Sequence, residues 1–237
     1  APLLIMTMGQ LVVIITGGID LSVGSIYSLS GMCGTLVMLS TQSIAAGVVA
    51  CLVVGTLCGI INGALVAKVK MAPFIVTLAM QGAAASITKI VAGGNSQTIT
   101  HTAFRAFNRG EIIPGVRNYI LYMVIIVLLM YFLLRKTVLG RWIYATGSNE
   151  EASRLVGIPV DRVKIICYTI SGFLSSVAAL LGASRLMTVD VSAGVGMELD
   201  AIAATCIGGA SLSGGMGTAF GALIGTLLQT GINNGIN

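Results

Sequence analysis

Charge is what this sequence has least of. Only 9% of its 237 residues are Asp, Glu, Lys or Arg, against about 25% in a soluble domain. Hydrophobic residues make up 56% of the chain and the mean hydropathy is +0.98. Its apolar runs are too many and too long for one cleavable leader, so the chain reads as an integral membrane protein. Other absences narrow the chemistry. His101 is the only histidine, it has no partner motif, and no metal site is expected. No C-x-x-C pair exists; Cys33, Cys51, Cys58, Cys167 and Cys206 all lie inside apolar stretches and read as small hydrophobes. No glycine-rich run ends in G-K-[ST], so the chain has no phosphate loop and does not hydrolyse ATP through one. Neither G-x-S-x-G nor H-E-x-x-H occurs, and no nucleophile–base pair is visible, which disfavours a membrane enzyme. A single Trp and no basic–aromatic clusters give nucleic acid nothing to bind.

Glycine, in contrast, is abundant, at 31 residues scattered through the apolar runs. Small residues let helix backbones approach closely in lipid, so the composition favours a tight helical bundle. Spans need about 20 apolar residues. The expected order is residues 1–16 as the later part of a span, a break at 17–24, then spans over 25–39, 43–67, 73–92, 119–134 and 165–183. The tail alternates apolar runs at 199–207 and 220–236 around GGASLSGGMG. Lys68 and Lys70 fall on the same side as the basic residues of 135–164, with two spans between them, which places both in the cytoplasm and residues 93–118 outside. The chain begins inside an apolar run and stops without a polar tail; the expectation is that both ends are truncated, with at least one span lacking at each.

Between the apolar runs lies one charged stretch, GRWIYATGSNEEASRLVGIPVDRVK at residues 140–164. Ser148 and Glu151 have the spacing of a capping box. Glu150 and Glu151 suit the positive end of a helix dipole. Gly157 is placed to end the helix in a left-handed conformation, and Pro159 stops it restarting. This predicts a two-turn helix over 149–156 with Ala152, Leu155 and Val156 on one face. Two turns alone are unstable in water, so packing must hold them. The helix is either an ordinary loop helix lying on its own protein, which spacing alone favours, or a peg for a separate soluble subunit.

Acids inside the apolar runs are the other signal. Asp20 sits in G-G-I-D-L-S-V-G with Ser22 and Ser25 nearby. An acid at membrane depth marks a functional site by default, and glycines there permit an unwound segment lining a cavity. The structural alternative, at least as well supported and compatible with the first, is that Asp20 caps the next helix by accepting from the Val23 N–H. Glu198 and Asp200 precede another apolar run and read as a cap at a membrane surface. Asn62 and Gln81 join Asp20, Ser22, Ser25 and Asp200 as candidates for a polar pathway carrying an uncharged, hydroxylated solute. A faint internal echo pairs G-I-D at 18–20 with E-L-D at 198–200, and G-T-L at 55–57 with G-T-L at 225–227, each G-T-L followed by I-N-G-like residues. Such echoes occur in transporters built from two related halves.

The segments GGIDLSVGS (17–25), PFIVTL (73–78), GRWIYATGSNEEASRLVGI (140–158), ELDAIAA (198–204), GGASLSGGMGT (208–218) and INNGIN (232–237) resemble the permease subunits of bacterial ABC importers for ribose and related simple sugars. The resemblance runs through essentially the whole chain. It implies an all-α integral membrane protein, a polytopic bundle of the type II ABC importer kind with about ten spans in the full chain, broken helices and a short coupling helix. Residues 1–237 would form one transmembrane permease domain, with 136–164 as the cytoplasmic coupling loop. E-A-S-x-x-x-G at 151–157 is close to the E-A-A-x-x-x-G pattern of importer permeases. Ser153 replaces the second Ala and no later L-P follows. The implied coupling helix comprises Asn149, Glu150, Glu151, Ala152, Arg154, Leu155, Val156 and Gly157, docking on ABC ATPase subunits. The chain itself would need no cofactor, ATP and Mg belonging to the partner ATPase. Further implied partners are a second permease chain, identical or related, a periplasmic sugar-binding protein and membrane lipid, in the bacterial inner membrane. The implied cargo is a monosaccharide such as ribose or a related pentose or hexose. The alternatives are a stand-alone secondary transporter using Asp20 or Asp200, or a permease for branched-chain amino acids.

Overall fold

The computed structural model describes residues 1–236, so Asn237, the last residue of the INNGIN segment, lies outside the described residues. Helices carry almost everything. They are α1 (Pro2–Ile15), α2 (Val23–Thr41), α3 (Ile44–Ala67), α4 (Pro73–Val91), α5 (Arg105–Arg109), α6 (Asn118–Lys136), α7 (Val138–Ser148), α8 (Glu150–Leu155), α9 (Val160–Leu186), α10 (Met197–Ile207) and α11 (Ala219–Ile236). Two short strands, β1 (Gln97–Thr98) and β2 (Thr188–Val189), pair antiparallel and tie the loop after α4 to the end of α9. Among the described residues five helices, α2, α3, α4, α6 and α9, are long and apolar enough to cross a bilayer.

The bundle is wrapped around α1. Every residue from Leu4 to Ile15 is buried, Thr7 and Gln10 included. A helix apolar on all sides has no lipid face to choose and is driven to the centre. It packs against α9, α10 and α11. By contrast α6 exposes Val124, Leu128, Leu129 and Phe132, the surface expected against lipid tails. The most extensive packing is between α3 and α9. Gly55, Gly59 and Gly63 recur every fourth residue along α3, and a Cβ on Gly59 would collide with the Tyr168 carbonyl oxygen of α9. Only glycine allows that contact.

Most expected spans survive with shifted ends. The main correction concerns the charged stretch, much of which is helix rather than loop. Residues 138–148 form α7, begun where Thr137 accepts from the Gly140 N–H at 3.0 Å. The span expected from residue 165 starts at Val160, with Asp161 in its first turn beside the free N–H groups. Val66, Lys70, Pro73, Glu150, Arg154 and Lys164 line one cleft of about 650 Å³. The lysines after α3 and the charged stretch therefore share one side, as the charge pattern requires.

The chain between β2 and α10 does not stay at a membrane surface. The Gly194 N–H donates to Ser28 Oγ at 2.9 Å, and Gly194 lies directly against the Gly24 backbone. This dips the chain into the bundle before α10 begins. The first turn of α10 reaches Gln81, near the midpoint of α4. Its 11 residues span only about 16 Å, roughly half the hydrocarbon thickness. So α10 is a half-length helix whose first turn is level with the middle of α4, with α11 running back beside it.

Candidate functional site

Three places gather the polar groups. The first is the turn between α1 and α2, residues 16–22. Asp20 and Ser22 are fully buried there. Asp20 Oδ1 accepts from the Ser22 N–H at 3.0 Å and from the Ser22 hydroxyl; Oδ2 accepts from Ser171 Oγ of α9 at 2.9 Å. Asn62 Nδ2 of α3 donates to Ser22 Oγ at 2.8 Å. With its carboxamide oriented to satisfy both groups, Gln10 donates to the Asp20 carbonyl at 3.1 Å and accepts from its N–H at 3.2 Å. Ser25 is bound to the same turn, donating to the Ser22 carbonyl at 3.0 Å. Helices α1, α3 and α9 are thus tied to the one turn that leads into α2, with only Ser22 and Ser171 bonding the carboxylate itself. The capping expectation for Asp20 is overturned: Ser22 holds the N-cap position, and the Asp20 side chain turns back on Ser22 instead of reaching Val23. Gln10 and Ser171 were not legible as partners, because both sit in helices whose polar residues carry no local motif.

The second place is the first turn of α10. Here Gln81 parts company with Asn62. Gln81 Nε2 donates to Glu198 Oε1 at 2.9 Å. Glu198 is 6% exposed, and its Oε2 has no hydrogen-bond partner among the described residues. Asp200, on another face of α10, accepts from Gln229 Nε2 at 3.1 Å and from Asn233 Nδ2 at 3.4 Å, both of α11. Gly196 is the N-cap, and Glu198 does cap the helix start, its Oε1 also accepting from the Gly196 N–H at 3.3 Å, while Asp200 turns to α11; both acids sit in the first turn, where the helix dipole favours negative charge. Leu199, between them, is 64% exposed.

The third place is α8. Its N-cap is Asn149, whose Oδ1 accepts from the Ala152 N–H at 2.9 Å. The Ser148 capping box is therefore corrected: Ser148 ends α7, and the asparagine one residue later takes its role. Gly157 does turn left-handed, with φ +83°. The face expected to lie on its own protein does not. Leu155 and Val156 are 89% and 77% exposed, and Ala152 and Glu151 face outward too; Ser153 is the buried residue. Ion pairs brace α8 instead. Glu150 binds Arg154 at 3.0 Å and Lys164 at 2.6 Å, and Arg154 also binds Asp161. Partial burial works to raise the Glu150 pKa, but the hydrogen bonds from Lys164 and Arg154 outweigh it and hold the carboxyl below its ordinary value. Asp161, followed by Glu150, pushes the Arg154 guanidinium up. The result is a short, charge-clamped peg with two bare aliphatic side chains.

These features define a multi-pass helical membrane protein of the transporter kind, with a broken-helix interior and a short, exposed, charge-clamped helix at one end. The whole chain, residues 1–237, matches the family model described as branched-chain amino acid transport system / permease component. A probable ABC transporter permease, y4mJ of Sinorhizobium fredii, is 47% identical over 237 residues, covering 100% of this chain and 71% of that protein. The ribose import permease RbsC of Escherichia coli is 40% identical over 238 residues, covering 98% and 74% respectively. The fructose import permease FruF of Bifidobacterium longum is 37% identical over 244 residues, covering 99% and 68%. No solved structure matches. The chain belongs to this permease family of ATP-binding cassette importers, whose members are the non-catalytic membrane component.

Proposed function

We propose that this chain forms half of the membrane conduit of a bacterial inner-membrane importer for a monosaccharide, and that α8 is the point at which ATPase subunits drive it. The observation that carries the docking role is the bareness of Leu155 and Val156 on a helix otherwise pinned by ion pairs. A two-turn helix with an unpacked apolar tip is unstable alone; a partner groove that buries those side chains supplies the missing contact. The sugar reading rests on relatives named for ribose and fructose import, joined by an L-arabinose permease of Azospirillum brasilense. That favours sugar over the branched-chain amino acids in the family model's description.

The mechanism follows from the connections. Closure of two ATPases around ATP and magnesium moves the docked pegs. Each peg is ion-paired through Glu150 to Lys164 and through Arg154 to Asp161, both in the first turns of α9. Further along, α9 holds Asp20 through Ser171. A displacement at the peg thus travels along one rigid helix to the α1–α2 turn, and the bundle rocks between outward- and inward-open states. Capture of sugar falls to a periplasmic binding protein. A second permease, identical or related, completes the conduit, in a full chain of about ten spans of the type II kind.

The test is binding-protein-stimulated ATP hydrolysis by the full importer in proteoliposomes. Leu155→Asp and Glu151→Arg should abolish stimulation while the permease still inserts in the membrane. Full stimulation in both variants would end the docking role. Uptake of sugar driven by a proton or sodium gradient without ATP would instead establish a stand-alone transporter.

A further inference from the structure

The sequence offered one set of pathway candidates, but the fold divides it in two. Asp20, Ser22 and Asn62 are fully buried; Asp20 and Ser22 bond one another, Gln10 and Ser171, and Asn62 donates to Ser22 while its Oδ1 is left without a partner among the described residues of the closed interior. A solute reaches them only if four helices separate. The first turn of α10 is arranged differently. Asp200, Gln229, Asn233 and Gln81 are all partly open, and their side chains lie near mid-depth by the position of Gln81 in α4. A half-open carboxylate at that depth is tolerated against water or protein and is very costly against lipid tails. So this flank of α4, α10 and α11 faces water or a second protein chain, not lipid tails.

Its construction suits one ligand class. Carboxylates and carboxamides together present acceptors and donors in adjacent pairs: Glu198 with Gln81, and Asp200 with Gln229 and Asn233. Vicinal hydroxyls of a sugar donate and accept in the same alternation. Between the pairs, Leu199 exposes an aliphatic surface, and a Cβ built on Gly196 or Gly82 meets nothing within 4 Å, so space is open beside it. Glu198 Oε2, more than nine-tenths buried yet without a partner, is a polar atom whose hydrogen-bonding capacity the closed protein leaves unused.

We infer that the mid-membrane first turn of α10, with Gln81 of α4 and Gln229 and Asn233 of α11, is a relay station for a polyhydroxylated, uncharged solute, where Glu198–Gln81 and Asp200–Gln229–Asn233 exchange their mutual hydrogen bonds for hydroxyls as the solute passes Leu199. Because Gln81, Gln229 and Asn233 already bond the two acids, the solute mainly trades hydrogen bonds and gains little net affinity, which suits a step that must release its cargo. The inference rests on the sugar-importer reading and deepens it.

The experiment uses the complete importer with its ATPase and binding protein, and reads sugar uptake and ATP hydrolysis together. Gln229→Leu and Gln81→Leu should lower uptake about tenfold while ATP hydrolysis stays within about twofold of wild type. They should also narrow the difference in uptake between a pentose and its monodeoxy analogues. Leu199→Trp, at an exposed position where folding is not at stake, should block uptake. With Cys33 and Cys206 replaced by Ala, Leu199→Cys should react with a membrane-impermeant maleimide, and transported sugar should slow the reaction. Unchanged uptake in the leucine and tryptophan variants, or an introduced thiol that reacts only with lipid-soluble maleimide, would overturn the station and leave the importer reading intact. A wild-type importer that moves no monosaccharide would overturn that reading itself.

Discussion

Two acidic places in this membrane protein use opposite designs. At the α1–α2 turn a single carboxylate, Asp20, is sealed from solvent and bound by hydroxyls from its own turn and from α9. At the start of α10 two carboxylates are bound by carboxamides: Glu198, itself buried, by Gln81 of α4, and Asp200, partly exposed, by Gln229 and Asn233 of α11. Each place also draws in an asparagine: Asn62 reaches the hydroxyl bound to Asp20, and Asn233 reaches Asp200 directly. What differs is access. A sealed polar cluster fixes geometry, because breaking any member leaves the others unpaired in a dry interior. An open one, able to trade partners with water or solute, does not fix geometry to the same degree.

The largest expected effect lies on the sealed side. Asp20→Leu strips Ser22 and Ser171 of their acceptor at once, at a cost of about 3–5 kcal/mol. Assembled permease recovered from membranes should fall severely, whereas Asp200→Leu should be recovered near wild-type levels. Equal losses in the two would break the comparison. Next comes Ser171→Ala, which removes one bond to Asp20 and should cost about 1–3 kcal/mol in thermal unfolding of the purified complex. Gln229→Leu should cost clearly less, and the reverse order would mean that the open cluster carries the structural load.

A smaller effect is expected at the peg, whose ion pairs are exposed. Glu150→Lys should weaken the clamp by about 0.2–1 kcal/mol, and adding Lys164→Glu should restore ATPase coupling more than stability. Coupling that ignores both changes would detach the peg from α9. The smallest effect concerns Asp190, outside the spans. Hydrogen bonds from Ser192 and Ser96 hold its carboxyl down to about 2, from an ordinary 3.8. A lowered folded value contributes stability above the unfolded value, which is lost as pH falls through the folded one. The strap between residues 96 and 190 should therefore be intact at pH 5 and loosen between about pH 4 and 2. Hydrogen exchange at 96–98 and 188–192, corrected for its intrinsic pH dependence, reads this, and Asp190→Asn should remove the dependence.

The legibility of these features varied for physical reasons. The spans were visible because length and apolarity are local properties. Gly157 was visible because a left-handed helix stop needs glycine. The cap of α8 was misplaced by one residue, since Ser148 and Asn149 are both good caps and only the preceding helix decides between them. The outward face of α8 was also missed: Ala152, Leu155 and Val156 look like a packing face, and nothing local says that their own protein leaves them bare.

Composition and spacing alone determined that this chain lives in a membrane, roughly where its long spans run, that it has no phosphate loop of its own, and that its charge is gathered between two spans. Only the tertiary structure decided which acid is sealed and which is open. Asp20 and Asp200 sit in similar apolar settings along the chain, and their partners come from helices far away in sequence. Burial depends on what packs across the bundle, and that is a property of the assembled helices rather than of any one stretch.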